Sequence, residues 1–390
     1  MTTLISLIGK GKKNKEGGYQ TARYRFDLDF AREAPFFGLA LTEFIKPTRL
    51  VLAGTAGSMW DVFLLEQQTG ADDAALFELI DAVHNEAVTQ ELLSAHEAQL
   101  SEAIGIPVTC LLIPYARNEA EQIAILQALA GVVGERDQVA LDVTHGFRHL
   151  PMLSLVAARY LSKVRKAEVQ EVYYGAFDMT QNGETPVLRL SSLLHMMDWV
   201  ESLATYEKDG DYGVFAPLLE ADGMRPNHAG LLKQAAFFER TGNPVVARQK
   251  LTAALPAIEA HDGPLGRLFR DELVKRVSWF RKPNRAEWER ELADAYLDRG
   301  DYLRGTTYLY ESIITRSTMG RGWDTNDFNQ RKEAFKLDST EESKTLEYLR
   351  NAMAHGIRPN NDRDARLLSG EDLLKSSLLG LRSTLYTNTP

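Results

Sequence analysis

The chain has 390 residues, 44% hydrophobic and 25% charged, with a formal net charge of −9 and one cysteine, Cys110. That length predicts two domains rather than one ordinary core, and a single cysteine excludes an internal disulfide framework. The acidic balance excludes broad attraction to nucleic acid, so any nucleic acid must meet a local basic patch: Lys10, Lys12, Lys13 and Lys15 form one, and Arg316, Arg321, Arg331, Lys332 and Lys336 another.

The first residues, MTTLISLIGKGKKNK, lack the pattern of a signal peptide, and no apolar run reaches the eighteen residues or so of a membrane span, so a cytoplasmic protein with no membrane partner is expected. Up to about residue 190, short β-branched runs alternate with amphipathic segments. TLISLIG, RLVLAG, PVTCLLIP, QVALDV, VQEVYYGAF and a short PVLRL read as strands; 36–45, 71–104, 119–133 and 151–163 read as helices. The class is α/β, a doubly wound and mostly parallel sheet of Rossmann type. Cys110 falls inside an apolar strand and reads as an inert core thiol.

In such sheets a ligand sits beyond the carboxyl ends of the strands. Three loops there are polar and bear glycine. GKGKKNKEGG follows the first strand. GTAGSMWD offers Thr55 and Ser58 at a helix start, a geometry suited to phosphate, and DVTHGFRHLP crowds Thr144, His145, Gly146 and Arg148 after Asp142. Neither G-x-G-x-x-G nor G-x-x-x-x-G-K-[ST] occurs, which argues against a dinucleotide dehydrogenase and a P-loop NTPase. An anionic ligand is expected at this edge.

The segments SLIGKG, YQTARYRFD, LVLAGTAGSMWD, LDVTHGFRHLPML and VYYGAF resemble the CARF domain of type III CRISPR ancillary proteins of the Csx branch, over residues 1–192. The resemblance implies a sensor that dimerises and binds a cyclic oligoadenylate, cyclic tetra-adenylate first, across a two-fold axis. It places ligand contacts at Gly9, Lys10, Gly11, Thr55, Ser58, Thr144, His145, Gly146 and Arg148; adenine would need stacking or apolar partners, for which Phe147 and Trp60 are candidates, although such aromatics are more often core.

Beyond residue 192 the alternation gives way to apolar residues at three and four spacings, a helical domain over 193–390. The stretch 318–337, rich in glycine, asparagine and charge, reads as an exposed loop or mobile insert. The next helix opens on a capping box of Ser339 with Glu342, buries Leu346, Leu349 and Met353, and stops at Gly356. It carries RNAMAHG. At this arginine and histidine content about 0.6 such R-x4-H spacings arise by chance, and five residues turn an ideal helix by about 140° beyond a full turn, so Arg350 and His355 do not share a face.

LEYLRNAMAHG is nevertheless similar to the R-x4-6-H motif of the HEPN ribonucleases, helical domains that pair so that two motifs form one site. A CARF sensor followed by such a domain implies a metal-independent endoribonuclease for single-stranded RNA, working as a homodimer or an oligomer of dimers. In it the RNA 2′-hydroxyl attacks the adjacent phosphorus and leaves a 2′,3′-cyclic phosphate. Arg350 would hold phosphate, His355 would exchange protons and Asn351 would hold the phosphate or orient His355. No HExxH or clustered Cys/His/Asp spacing argues for a metal, and no cofactor is expected. Two other readings compete: an N-terminal domain that itself cleaves the ring through His145 and Lys10, and a ligand-binding regulator without enzymatic activity.

Overall fold

The computed structural model describes residues 2–10, 20–61, 64, 73–147, 149–356 and 362–387. The chain divides into two compact units, Met1–His195 and Met196–Pro390. Among the described residues no helix is long and apolar enough to cross a membrane.

The first unit is built on an eight-stranded sheet. Its strands are β1 (Thr2–Ile8), β2 (Ala22–Arg25), β3 (Ala31–Ala34), β4 (Arg49–Gly54), β5 (Val108–Leu112), β6 (Gln138–Asp142), β7 (Glu168–Gly175) and β8 (Thr185–Arg189), in the spatial order β3-β2-β8-β7-β6-β1-β4-β5. From β7 to β5 every pairing is parallel; β8 runs antiparallel to β7, and β2 and β3 form an antiparallel edge hairpin. The inner strands β1, β4 and β6 are buried along nearly their whole length, as sequences such as LISLI and LVLAG require when both faces of a sheet are covered. The α/β, mostly parallel architecture expected from the sequence is therefore the one observed. Cys110 is buried, and burial pushes its thiol up to about 12, so it is an unreactive core group.

The helices of this unit are α1 (Phe37–Ile45), α2 (Asp73–His84), α3 (Gln90–Ile104), α4 (Glu119–Val132) and α5 (Leu150–Val164). The single helix expected over 71–104 is two helices. Glu86 takes the left-handed conformation at φ 52°, and Thr89 caps α3 by accepting the Leu92 N–H at 3.2 Å, so the backbone turns between them.

The second unit is helical throughout, with α6 (Ser191–Asp209) beginning in the first unit. It continues through α7 (Ala216–Ala221), α8 (Pro226–Arg240), α9 (Pro244–Glu259), α10 (Gly266–Val277), α11 (Arg285–Asp298), α12 (Tyr302–Gly320), α13 (Phe328–Asp338), α14 (Glu341–His355), α15 (Asp362–Leu367) and α16 (Glu371–Thr387). One core runs through it, including Trp199, Phe215, Leu251, Tyr296, Leu309, Leu346, Leu349 and Leu378. Within that core Glu239 accepts the Tyr296 hydroxyl at 3.0 Å, and burial pushes its carboxyl up to about 7.

Two expectations for this unit are overturned. The stretch 318–337 is not an insert: its start completes α12, and 328–338 form α13, capped by the Asp327 carboxylate accepting the Gln330 N–H at 2.7 Å. Buried Ala334 and the Tyr310–Phe335 ring contact seat α13 on α12, while Arg331 donates to Thr315 Oγ1 at 2.9 Å and pairs with Glu311. Its charged residues misled because they lie on the outer face and in this network. The capping box of α14 also lies one residue later than expected. Thr340 accepts the Ser343 N–H at 3.3 Å and Ser343 Oγ accepts the Thr340 N–H at 2.8 Å, while the Ser339 hydroxyl turns back to the Lys336 carbonyl.

Candidate functional site

After β1 and the edge hairpin β2–β3, the chain enters β4 beside β1, steps outward to β5, then returns to β6 on the opposite side of β1. The reversal lies between β1 and β6, the place where such sheets leave a crevice. There the loops after the two strands touch backbone to backbone: a Cβ on Gly9 would collide with the Gly146 amide nitrogen, and Gly146 itself sits at φ 110°. Both positions require glycine.

Buried polar groups fix this crevice from below. The parallel register sets Ser6 beside Asp142; Ser6 Oγ donates to one carboxylate oxygen at 2.6 Å and the Thr144 N–H to the other at 2.8 Å. Burial nonetheless pushes the Asp142 carboxyl up to about 6, against the lowering effect of those bonds. Thr144 Oγ1 accepts the Gly175 N–H at 2.8 Å. His145 Nε2 accepts the Phe37 N–H at 3.1 Å, and burial pulls its pKa down to about 4. It is therefore a neutral imidazole near pH 7 and offers phosphate no positive charge.

Thr55 and Ser58 are each 2% exposed. Ser58 Oγ donates to the Ile8 carbonyl at 2.8 Å and accepts the Thr55 N–H at 2.9 Å, and Met59 N–H reaches the Gly9 carbonyl at 3.1 Å. These hydroxyls tie the loop after β4 to the end of β1 and are buried beneath the surface a ligand would meet. Trp60 is core, its Nε1 donating to the Thr55 carbonyl at 2.9 Å. Of the residues expected to touch ligand, Lys10 and Gly146 are exposed at the edge and Gly9 lies buried beneath them. Gly11 and Arg148, with Lys12, Lys13 and Lys15, lie outside the described residues.

Four residues at this edge escaped the sequence reading. Tyr115 follows β5, at the same carboxyl edge of the parallel strands as the other three loops. Its ring lies 4.4 Å under the Arg117 guanidinium and 5.8 Å from exposed Phe147, which stacks on His149. His149 Nε2 stands 3.0 Å from the Tyr115 carbonyl oxygen. Together these make an aromatic shelf with a cation, a surface on which purine bases can stack. Glu86, from the turn that the continuous helix pattern concealed, pairs with Lys10 and accepts the Tyr115 hydroxyl at 3.0 Å.

In the helical unit, α14 is regular through His355 and ends at Gly356, which adopts φ 64° as the sequence predicts. Leu346 and Leu349 are fully buried and fix its rotation; each burial contributes roughly 1.5–3 kcal/mol. The Arg350 guanidinium lies 4.7 Å above the Tyr310 ring of α12, its Nε buried without a hydrogen-bond partner among the described residues, while the Tyr310 hydroxyl donates to Glu347 at 3.2 Å. Asn351 is half-buried and His355 exposed. No hydrogen bond joins Arg350 to His355 among the described residues, as expected of positions about 140° apart on a straight helix. Among the described residues no group of three or more His, Cys, Asp or Glu is placed to hold a metal ion.

Residues 3–178 match the family model described as CRISPR system endoribonuclease Csx1, CARF domain. A relative, CRISPR-associated protein MJ1674 of Methanocaldococcus jannaschii, is 24% identical over 349 residues, covering 80% of this chain and 53% of the relative. The chain thus spans about half the length of the relative it matches.

Proposed function

We propose a cyclic-oligoadenylate-activated, metal-independent endoribonuclease of type III CRISPR defence, a reading supported by the match of residues 3–178 to the Csx1 CARF-domain model and by the likeness to a CRISPR-associated relative. The observation that supports this reading is Arg350, held by an aromatic ring with its Nε unpartnered among the described residues, on a helix ending at His355 in a chain whose residues 3–178 match a CARF-domain model.

The ring, cyclic tetra-adenylate first, lies over the β1–β6 crevice. Its phosphates take Lys10 and the backbone at Gly9 and Gly146, and adenines stack on Tyr115 and Phe147. Helix α5 leaves this crevice with Met152, Val156, Tyr160 and Val164 all exposed, one every four residues, an apolar stripe that suits a second copy of the chain. A homodimer along that stripe brings two crevices around one axis and matches a cyclic polyanion.

In the helical unit, single-stranded RNA supplies its own nucleophile. Loss of its proton lets the 2′-oxygen bond to the adjacent phosphorus; the phosphorus–5′-oxygen bond breaks, the 5′-oxygen takes a proton, and a 2′,3′-cyclic phosphate remains. Arg350 donates to the phosphorane oxygens, Asn351 assists, and His355 moves the proton. Because Arg350 and His355 diverge on one helix, a second α14 completes the site.

The test is labelled single-stranded RNA incubated with the pure protein in EDTA, with and without cyclic tetra-adenylate. Cleavage that requires the ring and leaves 2′,3′-cyclic phosphate ends is expected. Activity that needs an added divalent ion would overturn the mechanism.

A further inference from the structure

The exposed contact between Lys10 and Glu86 lies across the edge where the anion is expected. Lys10 stands just past β1, Glu86 in the turn between α2 and α3, and Tyr115 past β5; the Tyr115 hydroxyl donates to Glu86 at 3.0 Å and accepts the Gly57 N–H, from the loop after β4, at 3.1 Å. An ammonium and a hydroxyl from two strand-end loops thus converge on one carboxylate, backed by the Gly57 amide. The stems of the pair close over Gly57: a Cβ there would meet Glu86 Cγ at 3.0 Å and Lys10 Cε at 3.1 Å. Glu86 reaches this position through a left-handed backbone, φ 52°, which a non-glycine residue seldom adopts.

We propose that the Glu86 carboxylate is a built-in occupant of the anion position, which a ligand phosphate must displace to reach Lys10, Tyr115 and the Gly57 face. This rests on the reading of the edge as the cyclic-oligoadenylate site and adds a residue that sets its affinity. Lys10 and Glu86 are 57% and 43% exposed at their side chains, so the pair is screened by solvent and displaceable. An exposed pair of this kind shifts an equilibrium by up to about fivefold, which bounds the penalty that Glu86 imposes on the ligand in each protomer. A weakly binding anion fails to displace it, and a ring presenting several phosphates at once succeeds.

The experiment is calorimetric titration of the full chain and of Glu86→Gln, Lys10→Ala and the double variant with cyclic tetra-adenylate. Glu86→Gln is expected to bind roughly three- to fivefold more tightly per site than the wild type, and the gain to vanish in the Lys10→Ala background. Equal or weaker binding by Glu86→Gln, or a gain that persists without Lys10, overturns the proposal. If the wild type and Glu86→Gln both fail to bind the ring, the ligand assignment falls separately, and tripolyphosphate as probe decides the role of Glu86. Uptake stronger in Glu86→Gln than in the wild type supports the built-in occupant, and equal or absent uptake overturns it.

Discussion

At the sheet edge Ser6, Asp142, Thr144 and Gly175 are joined by hydrogen bonds through three strands, and the loops they support meet backbone to backbone. At the end of α14, Arg350 and His355 share one helix with no hydrogen bond between them among the described residues; Arg350 lies against the Tyr310 ring, and His355 is exposed. The first region is assembled within a single chain; under the proposed function, the second is completed by an RNA strand and a second helix. A recognition surface that must hold a multiply charged ligand gains from assembly beforehand, because its groups lose little freedom on binding. Under the proposed function, a cleavage site completed only by a second chain is idle until that chain arrives, which suits an activity that must be switched.

The sharpest way to break this comparison is at α14. His355→Ala and Arg350→Ala should each lower ring-stimulated RNA cleavage by about a hundredfold or more, with melting temperature and ring affinity nearly unchanged. Full activity of the His355→Ala homodimer in a gel assay would return the hexapeptide to coincidence.

A second contrast lies in the buried acids. A carboxyl held above its unfolded pKa keeps its proton in the fold, so stability is greatest below the unfolded value and falls as pH rises through the folded one. For Glu239 that window runs from 4.5 to about 7, a loss of about 3 kcal/mol for the helical unit as pH rises. In the sheet unit Asp142 acts in the same direction from 3.8 to about 6. His145 acts oppositely: its folded pKa, about 4, lies below 6.5, and its contribution is lost as pH falls through that range. Between about pH 4 and 6 the two nearly cancel. Hydrogen exchange of the intact chain should therefore show Glu239-dependent protection falling from pH 5 to 7 in helical core amides, with flatter behaviour in β1 and β6 over pH 4–6. Glu239→Gln should flatten the first.

Lys10→Ala should weaken cyclic tetra-adenylate by about tenfold by calorimetry, since a charge-assisted bond to phosphate is lost in each protomer, while basal cleavage survives. The smallest effect is expected at Tyr310. Tyr310→Phe keeps the ring beneath Arg350 and should change the cleavage rate less than about twofold, whereas Tyr310→Leu removes the ring and should lower kcat about tenfold with little change in KM. Equal losses in both would assign the effect to the hydroxyl and its bond to Glu347.

Much of this arrangement is legible in the sequence. LISLI, LVLAG and VALD are too continuously apolar for a half-exposed strand, and glycine-bearing loops after them mark the carboxyl edge. Less legible was which polar residue faces which way: Thr55, Ser58 and His145 read as ligand contacts, yet their polar atoms are used within the loops, and their positions in sequence carry no sign of that. Charge density misled at 328–338, where arginine and glutamate bind a helix down instead of marking a loop. The turn at Glu86 was hidden because no glycine announces its left-handed residue.

The meeting of Gly9 with Gly146 has a mechanical consequence. With no side chain between them, neither loop can approach the other further, so a ligand pressing on the end of β1 must carry the loop after β6 with it. Four residues beyond Gly146, helix α5 begins, bearing Met152, Val156, Tyr160 and Val164 along its open side. The Leu150 N–H donates to the Phe147 carbonyl at 2.8 Å, so the loop that Gly9 abuts is itself bonded to the first turn of that helix, and the two glycines form the bearing between β1 and this connection.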